Sequence, residues 1–182
     1  MNFQLQLYLM IKHIFCLSLG NHYYRRSLLN IIIYKLYYER KRPIAFYDRY
    51  PVHHSFSKPL IEHLAKTESL VLFVGHEEHP AIELNLDNIK IFIIDSKFEK
   101  LFSLLYIPIF ITPASNFKKK FKPQGSNLIH MFHSIVSMHY IYPENVFDGY
   151  DTFFAVGPHH IDELKRTEQI RAWKHKTYLN IG

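Results

Sequence analysis

What this 182-residue chain lacks narrows the field first. A single cysteine, Cys16, excludes an internal disulfide and any Cys-rich zinc module, and fits a reducing compartment. Glycine is scarce, and Gly75, Gly125, Gly149 and Gly157 stand isolated, so neither a P-loop nor a G-x-G-x-x-G is present and nicotinamide chemistry is disfavoured. No uninterrupted apolar run reaches the roughly 20 residues of a membrane span. A secretory leader is not expected either: no basic stretch precedes the apolar segment 5–19 and no small-residue cleavage site follows it. Histidine is plentiful at 13, yet His76-x-x-His79, His130-x-x-His133 and His159-His160-x-x-Glu163 do not read H-E-x-x-H. With no cysteine pair to help them, no metal and no cofactor are expected.

What is present describes one ordinary domain. An apolar share of 48% with 13 Tyr and 15 Phe supplies a real core and argues against disorder. The formal charge of +6 is unevenly placed. Residues 1–42 hold seven Lys/Arg against one acid, Glu39, whereas 43–182 balance 15 basic with 15 acidic residues. That N-terminal arm carries two apolar segments. The first, 5–19, is interrupted by Gln6, Lys12 and His13. The second, 27–38, lies between Arg25-Arg26 and Arg40-Lys41-Arg42. Apolar segments framed by basic clusters read either as helices lying on an anionic membrane surface or as helices capping a core with a solvated basic edge. On a membrane each basic residue would contribute about 1 kcal/mol. No RNA-binding aromatic signature or recognition-helix pattern points to nucleic acid.

From Pro43 the pattern alternates. Apolar runs at 44–47, 69–75, 89–95, 107–112, 128–132, 152–156 and 176–181 read as seven strands. Helical periods fall between them at 59–66, 96–105 and 158–167, with Pro59 and Pro158 near their first turns. Residues 48–56 read as a polar, aromatic loop at the first strand's exit. The expected fold is α/β, a Rossmann-like doubly wound and mainly parallel sheet over 43–182, preceded by the helical arm 1–42. A final strand ending on Ile181-Gly182 predicts a lobe cut at its border.

In such sheets ligands collect at the carboxyl ends of strands. The stretch 127–157 delivers His133-Ser134 where an apolar strand ends, then Ser137, His139 and Tyr140, then Glu144, Asp148, Tyr150 and Asp151. Histidine is the side chain best poised to take a proton near neutral pH, so His133 is the candidate general base, with Asp151 as the residue to orient it. A strand-end cap is the plain structural reading of both. His130 and His133 face opposite ways in an extended run, which puts His130 in the core or behind the site rather than beside His133. Ser134, Ser137 and His139 are candidate substrate-binding residues beside the base. Asp48, His53 and His54 in the first strand's loop are others. Lys118, Lys119 and Lys120 read as a solvated basic loop or as attraction for an anionic polymer.

His133-Ser134, the run Tyr150-Asp151-Thr152-Phe153-Phe154, Gly157 before a helix bearing Glu163, and Tyr178-Leu179-Asn180-Ile181-Gly182 resemble the N-terminal half of CDP-glycerol glycerophosphotransferases. These are teichoic-acid-type polymerases and primases with two Rossmann-like lobes, the GT-B arrangement. The resemblance covers about residues 43–182. Ser134 departs from it, since the family has His-Gly at that pair, and this leaves room for a related GT-B enzyme with a different sugar-nucleotide donor. The resemblance implies inverting transfer of glycerol phosphate from CDP-glycerol to a polymer or lipid-linked acceptor, at the cytoplasmic face of the membrane. It also implies that a C-terminal lobe holds most of the nucleotide. A non-catalytic Rossmann-like module that binds an anionic polymer or a partner is the reading from a different class.

Overall fold

The computed structural model describes residues 22–134, 137 and 142–181. The apolar segment 5–19 and His139 fall outside the described residues. Helix α1 (His22–Tyr37) is followed by strand β1 (Ile44–Asp48), helix α2 (Pro51–Leu64), β2 (Leu70–Val74) and β3 (Ile89–Ile93). The chain continues through β4 (Ile109–Thr112), β5 (Asn127–Met131), β6 (Thr152–Ala155), helix α3 (Pro158–Ile170) and β7 (Thr177–Asn180). All seven strands join one sheet in the order β3-β2-β1-β4-β5-β6-β7, and every pairing is parallel. This is the doubly wound, Rossmann-like α/β fold that the alternating pattern predicts.

The run Leu70–Val74 is buried at every position, as a strand covered on both faces requires. Alternate residues of β1 feed two cores. Ala45 and Tyr47 join α1, Phe102 and Phe110 on one face, while Phe46 meets Ile61 of α2 on the other. Helix α1 is part of the first core: Leu28, Ile31 and Tyr34 are fully buried beneath it. Each such side chain contributes about 1.5–3 kcal/mol. Polar ties fix the helix further. Asn30 Nδ2 donates to the Ile93 carbonyl at 2.8 Å, and Lys35 Nζ to the Leu104 carbonyl at 2.8 Å. The inner face of the arm's second segment therefore packs on the sheet.

Two element boundaries differ from the sequence reading. Residues 51–56, expected as loop, are the first turns of α2, because Pro51 occupies the opening position where a missing N–H costs nothing. Pro59 lies inside the helix. It is tolerated there because it and Ser55, whose carbonyl it leaves unpaired within the helix, both face solvent. The period at 96–105 forms not an α-helix but 3-10 turns over Ser96–Leu104, kinked at Phe98.

Candidate functional site

Strand order reverses between β1 and β4, so the chain leaves these neighbours in opposite directions and opens a crevice at their carboxyl ends. Thr112, the last residue of β4, ties that junction: its Oγ1 donates to the Tyr47 carbonyl at 2.8 Å and accepts from the Ala114 amide at 3.1 Å. Gly75 at the exit of β2 is needed for packing, since a Cβ there would lie 2.2 Å from the Arg49 carbonyl oxygen.

Asp48 ends β1 and is fully buried beneath α2. Its Oδ2 accepts from Ser57 Oγ at 2.5 Å and lies 2.9 Å from His54 Nδ1. A row of imidazoles extends to both sides. The His54 ring lies 5.5 Å from that of His79, which lies 5.7 Å from that of His76, both beyond β2. In the other direction His53, on the first turn of α2, lies 5.3 Å from His133 at the exit of β5. Phe56 packs on the His133 ring at 5.1 Å and Tyr50 on that of His53 at 5.4 Å. The Nδ1 atoms of His53 and His133 are buried with no hydrogen-bond partner among the described residues.

Burial decides the charge of these rings. It pushes His53 down to about 4, with repulsion from His133 adding to the effect and Asp48 opposing it. Burial also lowers His133, and it lowers His79 against the pull of Asp48. These three rings are neutral at pH 7, able to accept or donate a hydrogen bond. On the opposite face of the sheet, Arg49 is held by an ion pair with Glu99 and a hydrogen bond to Asn116 Oδ1. Tyr47 donates to the same Glu99 carboxylate at 2.8 Å. Burial works against the Arg49 charge, and Glu99 more than restores it. The sequence reading missed this buried pair, whose one signal is an arginine directly after an apolar strand.

The structure brings together Asp48, His53, His54 and His133, with Ser134 following His133 in the chain. Ser137 is half-buried. Asp151 goes elsewhere, and its expected role in orienting His133 does not hold. It precedes β6 and its backbone amide bonds to Leu128 at the amino end of β5, roughly 16 Å of strand away from His133. Its Oδ2 is bound by Lys122 Nζ at 2.5 Å and by the Leu128 amide at 2.7 Å. His130 is fully buried among Phe132, Phe147 and Tyr150, as its strand position predicts. Lys118, Lys119 and Lys120 are exposed on the segment that returns from β4 to β5, and Lys119 packs against Gly149. A cavity of about 240 Å³ between Tyr142, Phe147, Thr167 and Ile170 lies apart from the crevice, and Arg171 on its wall is engaged by Asp148.

Among the described residues no group of three His, Cys, Asp or Glu is placed to hold a metal ion, and no helix is long and apolar enough to cross a membrane. No family model matches this chain, and no curated protein or solved structure does.

Proposed function

We propose that this chain is the acceptor-side lobe of a GT-B transferase of the CDP-glycerol glycerophosphotransferase type. It would act in the synthesis of a teichoic-acid-like cell-wall or capsular polymer, moving glycerol phosphate from CDP-glycerol to a polymer or lipid-linked acceptor. The observation that carries the reading is the meeting of His53 and His133 in the crevice beside the strand-order reversal. Neutral imidazoles there suit recognition of a polyol acceptor, because each ring offers one donor and one acceptor to a hydroxyl. Transfer needs the acceptor hydroxyl to lose its proton to a histidine at this edge. His53, held at about 4, is too weak a base for that task near neutral pH and is assigned to hydrogen bonding.

A peripheral position on the cytoplasmic membrane face is part of the same proposal. Tyr23, Leu29, Leu36 and Tyr37 are exposed on α1, framed by Arg25 and Arg26 at one end and Arg40, Lys41 and Arg42 at the other. Such a stripe suits an anionic lipid surface. The exposed Lys118, Lys119 and Lys120 support the second reading, a module that holds an anionic polymer without catalysis.

The test is a titration of the chain with a short glycerol phosphate oligomer, followed by the histidine resonances. Saturable shifts at His53 and His133 are expected, and a flat titration sinks the acceptor-lobe reading. Adding glycerol-labelled CDP-glycerol then separates the two classes. With a donor-binding GT-B lobe supplied alongside this chain, label transferred to the oligomer supports the transferase, and bound oligomer that stays unlabelled supports the module.

A further inference from the structure

We propose that His54, backed by Asp48, is the general base of this crevice, with Asp48 and Ser57 as positioning residues. The proposal rests on the transferase reading above and names the proton acceptor within it. A side chain that takes a proton in a transition state is held in place by a third group, usually a carboxylate on its other nitrogen. Of the histidines gathered at this edge, His54 has that support: its Nδ1 lies 2.9 Å from Asp48 Oδ2. The carboxylate is itself fixed, fully buried at the end of the central strand and bound by Ser57 Oγ at 2.5 Å. The other rings are placed differently. His133 and His53 have buried Nδ1 atoms without a partner among the described residues. His79 uses its Nδ1 to accept from the Ala81 amide at 3.3 Å. His130 lies in the aromatic core.

The geometry selects one tautomer. A carboxylate only accepts hydrogen bonds, so the neutral His54 ring carries its proton on Nδ1 and presents the lone pair of Nε2. In the transfer step the O–H bond of the acceptor hydroxyl breaks and its proton goes to Nε2. The electron pair stays on that oxygen and forms the new bond to phosphorus of the nucleotide-linked donor. The bond from phosphorus to the nucleotide breaks, and its electrons leave with the nucleoside monophosphate. The imidazolium then lies against the Asp48 carboxylate, which stabilises it as it forms.

The experiment uses the full chain labelled with ¹⁵N-histidine, with His54 assigned by the signal lost in His54→Gln. Long-range ¹H–¹⁵N correlation at pH 7 reads the tautomer, and diethyl pyrocarbonate followed by peptide mass analysis reads the reactivity of each ring. The expected result is a His54 ring protonated on Nδ1 and carbethoxylated at Nε2. In Asp48→Asn the side-chain amide donates to the ring, the tautomer reverses, and modification at His54 slows about tenfold relative to His53 in the same sample. A wild-type ring protonated on Nε2 overturns the proposal, and so does a His54 that stays unmodified while His53 and His133 react. Should Asp48→Asn fail to fold, the wild-type tautomer decides alone. Both readouts are independent of substrate, so a failed oligomer titration would count against the transferase reading and leave this result standing.

Discussion

His53 and His133 lie ring to ring at 5.3 Å, one on the first turn of α2 and the other at the exit of β5. Their contact ties the two halves of the sheet across the crevice, and it has an acid cost. Burial holds His53 at about 4 in the folded chain against an ordinary 6.5. Below pH 6.5 the unfolded chain therefore binds a proton that the folded chain refuses, and stability falls as pH drops towards 4. Denaturant melts at steps of pH should show this acid limb, and His53→Gln should flatten it. An equally steep limb in the variant would assign the loss to other groups.

Replacing His133 separates binding from proton transfer. In the transfer reaction His133→Ala should weaken acceptor affinity and raise KM, whereas His54→Gln should lower kcat by about 10²–10⁴-fold with little change in KM. The reverse pattern would return the base role to His133.

Asp151 is a surface tie between the Lys122 side chain and the Leu128 amide. Its side chain is 45% exposed, so the ion pair contributes about 1 kcal/mol or less. Asp151→Asn should lower the melting temperature by a few degrees and leave oligomer binding unchanged. A loss of binding without a loss of stability would place Asp151 back in the site.

Helix α1 offers two different outcomes. Deleting residues 1–42 removes Leu28, Ile31 and Tyr34 from the core, so the shortened chain should aggregate. The double change Leu29→Gln and Leu36→Gln touches only the outer face, and should abolish pelleting with anionic vesicles while leaving the melting temperature within about two degrees. Vesicle binding that survives the double change would remove α1 as the membrane contact.

Gly75→Ala tests the packing at the β2 exit. The added carbon meets backbone, the Arg49 carbonyl, which no rotamer change relieves. A loss of about 2–4 kcal/mol is expected in denaturant melts, and a loss below 1 kcal/mol would show that the β1 exit is mobile.

The strands are legible in the sequence because parallel strands buried on both faces read as unbroken apolar runs, as Leu70–Val74 does. His130 against His133 is legible too, since alternation along a strand is strict. The start of α2 is obscured by two prolines, each able to open a helix. A helix opened at Pro59 rather than Pro51 leaves the first helical turns as loop, which groups Asp48 with His53 and His54 but does not show that Asp48 and His54 touch. That pair joins a strand end to a helix turn, and no periodicity reports it. The misplacement of Asp151 has a simpler cause. In a parallel sheet, residues before a strand and residues after one lie at opposite edges, so Asp151 and His133 belong to different ends of the molecule.

The strand order also sets the sequence of assembly during synthesis. The half containing β1, β2 and β3 emerges first and can pair among itself, with α1 and α2 on its two faces. Until β4 arrives, β1 presents an open edge, an invitation to pair with another chain. The contact order is raised by this return to the middle of the sheet, which predicts slow completion of folding. The crevice lies on that late seam, so His53 meets His133 only after the first half of the sheet has emerged.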